Sequence, residues 1–543
     1  MGEQGGVRLT RRGMRWRDMS YGIGLLCCGI SLFALPSKSA AQYVNGPASV
    51  FGNPVPFFAG PGTEASPGAP GEPVPAWIFT PSLQLSETYT DNVNLAPKGQ
   101  ATSDLITSIS PALGVIGNTP RLNLSFSYDP QLLLFALGTS SPVLQQQLQG
   151  SGKATLIPEI LFFDGSASIS QDYVSSAGPV AATTFTTNNN LQAVETANAS
   201  PYFVHHFGSY ADTESRYRFD VISVGGNTIA PQYASELTQT VKSGDYFGPL
   251  SWTLTGDYQR TNGLSGIPGV QGGSASKDAF AKVDAQYPVY ERLSVTGDIG
   301  YERITNPTLT VQPVGVIWNI GLKYDPSPYA EASFTYGRRY GGSDIEFSGR
   351  YDIGPQTRIS ASYTQTIETT QSLIANNLNG AVIGPNGTLI NPVTGLPIAP
   401  GNAPFGNGVT AFGLSNGSFL DKRFKLDLTA TRGRNTYTAT AFDERQSEQL
   451  SAGNTQAIGG QLNWSRLLWP DLTSNVSGSY SNISFLDGSG RVDNYYSASA
   501  NLTYSVSRTV STQLSVTRSD RESNQPLNSL IDDLITISIQ KKF

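Results

Sequence analysis

The stretch Tyr495-Tyr496-Ser497-Ala498-Ser499-Ala500-Asn501-Leu502-Thr503-Tyr504-Ser505-Val506 decides how the chain is read. Tyr496, Ala498, Ala500, Leu502, Tyr504 and Val506 share one parity, while Tyr495, Ser497, Ser499, Asn501, Thr503 and Ser505 share the other. Side chains of a β-strand point alternately to opposite faces, so this segment has one apolar surface and one of hydroxyls and amides. The same alternation sets Leu122, Leu124, Phe126 and Tyr128 against Asn123, Ser125, Ser127 and Asp129. It sets Ala330, Ala332, Phe334 and Tyr336 against Glu331, Ser333 and Thr335, and Ile359, Ala361 and Tyr363 against Arg358, Ser360 and Ser362.

A soluble sandwich also alternates, so three further features are needed. The polar parity is Ser, Thr, Asn and Gln with scattered charges, as a watery lumen requires, and the segments outrun ordinary strands of about five or six residues. Tyr and Phe recur near segment ends, where an aromatic girdle meets a membrane interface. Short and long connections alternate. Ten short ones fall near 117–120, 158–159, 205–208, 247–249, 289–292, 325–328, 354–356, 433–435, 469–471 and 507–508. Longer polar loops such as 92–102, 174–190, 261–275 and 519–530 lie between them, with Gly341-Gly342 as a short exception. Transmembrane barrels have this asymmetry between their two ends.

The expected fold is therefore all-β: a transmembrane antiparallel up-and-down barrel of about 22 strands, an even number that puts both ends of the chain in the periplasm of a Gram-negative cell. Backbone groups in hydrocarbon must be hydrogen-bonded internally, and an open sheet edge is not tolerated there. Beyond residue 41 no run of 18 apolar residues offers a helical span.

Composition agrees. Charged residues are 14%, aromatics 10%, and the chain has 57 Gly and 34 Pro. That is too aromatic for simple disorder and poor in the residues long helices prefer. Residues 1–41 read as a secretory signal, with Arg8, Arg11, Arg12, Arg15 and Arg17 before an apolar stretch from Tyr21 to Leu35 and a small-residue cut site at Ser39-Ala40-Ala41. Its removal takes six basic and two acidic residues from totals of 35 and 41, leaving 29 against 39, a net charge of −10. That balance excludes nucleic acid as a partner. Both cysteines, Cys27 and Cys28, leave with the signal, so the mature barrel has no thiol chemistry. Residues 42–76 hold eight prolines and six glycines without periodicity and read as a disordered, Pro/Gly-rich periplasmic leader. Thirty-five such residues are too few for the folded plug of a TonB-dependent transporter. The barrel domain is placed at 77–543, with 371–419 as a long extracellular or gating loop.

The chain ends Ile535-Thr536-Ile537-Ser538-Ile539-Gln540-Lys541-Lys542-Phe543, with Ile535, Ile537, Ile539 and Phe543 on one parity. This resembles the C-terminal strand signal read by the outer-membrane assembly machinery, although Lys541 stands where a further apolar residue is common. Several stretches are similar to the outer-membrane β-barrel proteins associated with PEP-CTERM/exopolysaccharide systems. They are Phe79 to Val93, Tyr336-Gly337-Arg338-Arg339-Tyr340-Gly341-Gly342, Arg432-Gly433-Arg434-Asn435-Thr436 and Asn391-Pro392-Val393-Thr394-Gly395-Leu396-Pro397. The resemblance implies a barrel that works beside exopolysaccharide synthesis and export. It carries over no catalytic residue.

Chemistry is sparse. The two histidines, His205 and His206, fall in an expected turn, and an adjacent pair without carboxylates makes no metal site. No nucleophile elbow stands in the barrel region. No enzymatic activity, metal or cofactor is expected. The candidate site is a lumen charge cluster of Arg338, Arg339, Arg350, Glu331, Asp344 and Glu346. Expected partners are outer-membrane lipid and lipopolysaccharide, the assembly machinery and exopolysaccharide. The expected role is a conduit or accessory in exopolysaccharide export; the alternative is a non-transporting structural or adhesive surface barrel.

Overall fold

The structure, a computed structural model, describes residues 75–543 except 228–230, 265–273, 308, 310–311, 370–371, 374–381, 384–388, 391–410, 415–417, 448–453 and 487–488. The expected signal, nearly all of the leader and most of the 371–419 loop lie outside the described residues.

Strands follow the alternating segments. They are β1 (Trp77–Thr90), β2 (Asp104–Asn118), β3 (Leu122–Phe135), β4 (Val143–Ile157), β5 (Leu161–Tyr173), β6 (Leu191–His206), β7 (Ala211–Val224) and β8 (Gln232–Ser243). Next come β9 (Ser251–Leu264), β10 (Ser274–Tyr290), β11 (Leu293–Thr305), β12 (Val314–Ser327), β13 (Ala330–Arg339), β14 (Gly342–Asp352) and β15 (Thr357–Glu368). A two-residue hairpin, β16 (Val382–Ile383) and β17 (Leu389–Ile390), forms a separate small sheet. The series ends with β18 (Phe419–Arg432), β19 (Asn435–Ser447), β20 (Asn454–Trp469), β21 (Leu472–Leu486), β22 (Arg491–Ser505), β23 (Val510–Ser523) and β24 (Leu530–Lys542).

Apart from that hairpin, the strands form one 22-stranded antiparallel sheet in sequence order. It closes where β1 meets β24, from Ser82 opposite Lys542 to Thr90 opposite Leu534. The Thr88 and Thr536 hydroxyls pair across this seam at 2.9 Å, and Thr90 Oγ1 donates to Asp532 Oδ1 at 2.7 Å. The Phe543 amide donates to Pro81 O at 2.9 Å.

The two parities sort as two solvents demand. Leu85, Ile299, Leu462 and Ile537 are 44–67% exposed on the outer wall, while Ser86, Thr88 and Ser499 on the inner parity are buried. A closed sheet leaves no edge in hydrocarbon, so the outward apolar rows can face lipid. Strands of 10 to 17 residues exceed the roughly 9–11 needed to cross the core, so they extend beyond it.

All ten expected short connections join strands at one end of the barrel, the end at which β1 starts and β24 stops. The loops at the other end are longer. The exceptions there are the four-residue connection 487–490 and the turn at Tyr340 and Gly341, with φ of 54° and 76°; two successive positive φ values are what a tight two-residue hairpin needs. The expected 519–530 loop is shorter than the sequence suggested, because β23 and β24 continue their pairing to Arg521 and Leu530.

In one stretch of wall neighbouring backbones approach closely. A Cβ on Gly300, Gly321 or Gly337 would overlap a carbonyl oxygen of Ala281, Phe334 or Trp318 respectively. These glycines lie on β11, β12 and β13, on the inner parity, and let neighbouring backbones come this close.

Candidate functional site

The site is the lumen at the long-loop end, built from strand ends and two chain segments that fold inward. The first segment is the connection from β5 to β6, residues 174–190. Val180 and Ala181 are buried, and so are Thr183, Thr184 and Thr186. Asn190 braces the segment internally: its Nδ2 donates to Ser175 O at 2.8 Å and Pro179 O at 2.9 Å, while its Oδ1 accepts from the Ser175 amide at 2.9 Å. The barrel wall and the β1–β2 loop hold it as well. Gln145 Nε2 donates to Thr184 O at 2.9 Å, the Ala182 amide to Ser519 Oγ at 2.9 Å, and Thr186 Oγ1 to Val93 O at 2.7 Å.

A charged clasp fixes the tip. Three successive carbonyls, those of Ser176, Ala177 and Gly178, accept side-chain donors from β22 and β23. Tyr495 Oη reaches Ser176 O at 2.6 Å, Arg491 Nη2 reaches Ala177 O at 2.8 Å, and Arg521 Nη2 reaches the same oxygen at 3.0 Å. Arg521 Nη1 also donates to Gly178 O. Asp493, wholly buried, accepts from Arg491 and Arg521 at 2.7 Å each. Buried carbonyls need donors, and buried charges need partners. Here each requirement meets the other.

The second segment is the last part of the β15–β18 connection. Ala411 and Phe412 are buried against the first segment and against Phe442, Ile483 and Phe485 of the wall, and Leu414 is buried as well. The Leu414 amide donates to Val174 O at 2.7 Å, and the Ala411 amide to Glu444 Oε2 at 3.0 Å. A Cβ on Gly413 would sit 2.5 Å from Val174 O and 2.7 Å from Ser175 Cα, so the two segments approach as closely as they do only through a glycine. The described end of the expected 371–419 loop therefore turns inward.

The rest of the lumen has two characters. On β20 to β24 and β1 to β4 it presents mainly hydroxyls and amides. Ser477 meets Ser499 at 2.6 Å, Ser479 meets Ser497 at 2.7 Å, and Gln131 Nε2 donates to Ser108 Oγ at 2.8 Å. From β7 to β19 it is laced with ion pairs, including Arg218 with Asp220 at 2.7 Å and Glu236 at 3.1 Å, and Lys282 with Asp284 at 2.8 Å.

The six residues of the expected charge cluster divide three ways. Arg339 and Asp344 lie near the long-loop end, where Arg339 Nε is 3.7 Å from Glu302 and its guanidinium stands over the rings of Phe280 and Tyr340. Glu346 shares the inner parity with Asp344. Glu331 and Arg350 lie lower. Glu331 pairs with Lys323 at 3.3 Å, and Arg350 lies 3.9 Å from Asp352, which Arg358 holds at 2.7 Å. Arg338 is not in the lumen: it shares the outward parity of Phe334 and Tyr336 and is exposed. One residue of offset along a strand changes the face.

Arg491, Asp493 and Arg521 were missed by sequence reasoning. Their signal was parity: Arg491, Asp493 and Tyr495 are spaced by two and continue, toward the start of β22, the polar face of the segment that decided the fold. His205 and His206 end β6 beside a short turn. His205 stacks with Phe203 and meets Phe207 edge-on, and His206 Nδ1 is 2.7 Å from Asp212. Among the described residues no group of His, Cys, Asp and Glu is arranged to hold a metal ion.

A family model described as "Putative beta-barrel porin 2" matches residues 431–543, the strands from the end of β18 to β24. No curated protein matches the chain. Among solved structures, the siderophore receptor PirA from Acinetobacter baumannii is similar at 10% identity over 87% of this chain and 81% of its own, with a TM-score of 0.46. The ferric-catecholate import receptor Fiu from E. coli K12 in its open form gives 10%, 86%, 82% and 0.47. The FrpB iron transporter from Neisseria meningitidis gives 13%, 86%, 82% and 0.45. These are likenesses of barrel outline and carry nothing about cargo. Closed 22-strand topology and the family match together make this a porin-like β-barrel of outer-membrane type.

Proposed function

We propose that the chain is an integral outer-membrane conduit for surface polysaccharide, working beside exopolysaccharide export, with its outer mouth narrowed by residues 174–190. In this reading the short turns and both ends of the barrel chain face the periplasm, and the long loops face outward. No catalytic role is assigned to any residue.

The observation that carries the reading is the hydroxyl and amide wall beneath the narrowed mouth. Ser, Thr, Asn and Gln offer donors and acceptors in both senses, which suits a chain of sugar hydroxyls better than a fixed charge would. The resemblance to exopolysaccharide-associated barrels supports the same cargo. The second reading, a structural or adhesive barrel without transport, is favoured by the inward segments, which fill part of the mouth.

Single-channel recording of the refolded mature chain in a planar bilayer tests the choice. A conduit gives a stable conductance that falls when exopolysaccharide fragments are added. A folded but silent barrel, silent also after removal of the 174–190 tip, overturns transport and leaves the structural reading.

A further inference from the structure

Three strands carry the same tripeptide pattern toward the long-loop end of the outer wall. They are Tyr258-Gln259-Arg260 on β9, Tyr301-Glu302-Arg303 on β11 and Tyr336-Gly337-Arg338 on β13. In each, the tyrosine and the arginine share the outward parity and both are exposed. Lys277 of β10 stands directly opposite Arg260 in the strand register, is also exposed, and shares its face. Lys277 is in turn opposite Thr305, two residues beyond Arg303 on β11. Across β12 Arg303 is opposite Val314 while Arg338 is opposite Trp318, so the belt descends from β9 to β13 as strands tilt.

The belt's charges are uncompensated on their own side of the wall. Among the described residues Arg260, Lys277, Arg303 and Arg338 form no ion pair, and Arg260 has only an amide partner, Asn262 Oδ1 at 3.2 Å. The carboxylates of the same strands, Asp257, Asp278, Asp284, Asp298, Glu302 and Glu331, are on the inner parity. The adjoining segments 225–231, 265–273, 306–313 and 340–341 contain no Asp or Glu. Two other outward cations on this rim are matched: Arg518 pairs with Asp533 at 2.8 Å and Arg445 with Asp443 at 3.1 Å. Like charges directly opposite on a sheet repel, so Arg260 beside Lys277 is unfavourable without an anion between them. The mature chain as a whole is acidic, which makes a carboxylate-free basic belt harder to assign to general surface charge.

We propose that this belt binds the phosphate groups of an outer-leaflet phosphoglycolipid of the lipid A type, whose acyl chains lie on the apolar wall below. The tyrosines mark the boundary between hydrocarbon and head groups, where their amphipathic rings are stable. The cations sit one inner-outer alternation above them, at head-group level. Arg binds phosphate in a planar, two-pronged manner, and cations at head-group level are drawn to anionic lipid. The inference rests on the outer-membrane reading with the long loops outward, and it names a ligand site on the wall, separate from the lumen.

The test uses the full mature chain in detergent micelles, with retained lipid read by native mass spectrometry. Wild type should retain bis-phosphorylated lipid A at least about ten-fold better than its dephosphorylated form. The combined variant Arg260→Gln, Lys277→Gln, Arg303→Gln and Arg338→Gln should lose that preference while keeping its conductance and its heat-modifiable migration. Arg350→Gln with Arg358→Gln, on the lumen side, should leave retention unchanged. Equal retention by wild type and the belt variant overturns the proposal. So does variant-sensitive binding of inorganic phosphate without any lipid preference. A wild-type chain that never inserts into bilayers overturns the membrane reading itself, a result separable from the lipid comparison.

Discussion

At the scale of single residues, Arg521 does two jobs with one guanidinium. It neutralises the buried Asp493 and caps the half-buried carbonyls of Ala177 and Gly178. Removing one partner of a buried charge pair costs about 3–5 kcal/mol when the structure cannot adjust. Here it can adjust, because the 174–190 segment can lift away and rehydrate both groups. The cost of Arg521→Ala should therefore appear as local opening. Limited digestion with elastase should cut 174–190 faster in the variant, single-channel conductance should rise, and the urea midpoint of the whole barrel should hardly move. Gly413→Val acts at the same contact from the other side. Its added carbons meet Val174 O and Ser175, so conductance should rise there too, with both clasp arginines intact.

At the scale of the element, strand parity decides what a substitution can do. Arg338 and Arg339 are neighbours in sequence, yet one faces outward and the other pairs with Glu302 inside. Arg339→Glu should shift the reversal potential of the reconstituted channel toward cations, whereas Arg338→Glu should leave it where it is. Replacing residues 176–186 by a short Gly-Ser linker removes the clasped tip without touching a barrel strand. Conductance should increase several-fold, while the folded band on an unheated gel persists. Parity was legible in the sequence wherever apolar and polar residues alternate cleanly, as in Tyr495 to Val506. It was not legible at β13, where Gly337 and the two arginines give no apolar contrast to register against. The inward turn of 174–190 left no periodic trace at all. Its hold comes from Arg491, Asp493, Tyr495 and Arg521, more than 300 positions away in the chain, and no local pattern encodes such a partner.

At the scale of the whole molecule, strand number and end-to-end asymmetry could be read because turns punctuate the chain with small and polar residues, and strand length could not. Pairing continues past the last clear alternation at both β23 and β24, where charged pairs such as Arg518 with Asp533 replace apolar ones. The outer wall meets hydrocarbon along rows such as Ile535, Ile537 and Ile539. Ile537→Arg places a cation in the middle of such a row and should destabilise the folded barrel in lipid by about 2–4 kcal/mol, measured by reversible denaturant titration in vesicles.

The seam between β1 and β24 also constrains how the barrel can be made. Every other pairing in the wall joins strands that follow one another in the chain, and those can zip as hairpins. The seam joins groups such as Thr88 and Thr536, 448 positions apart, so it cannot form until the last strand has been delivered. Until then the growing sheet carries two bare margins, each a row of unpaired amides and carbonyls. Lipid cannot tolerate these, and another copy of the chain would readily pair with them. Synthesis, insertion and closure must therefore be ordered in time, with the first strand held apart from competing partners until its mate arrives.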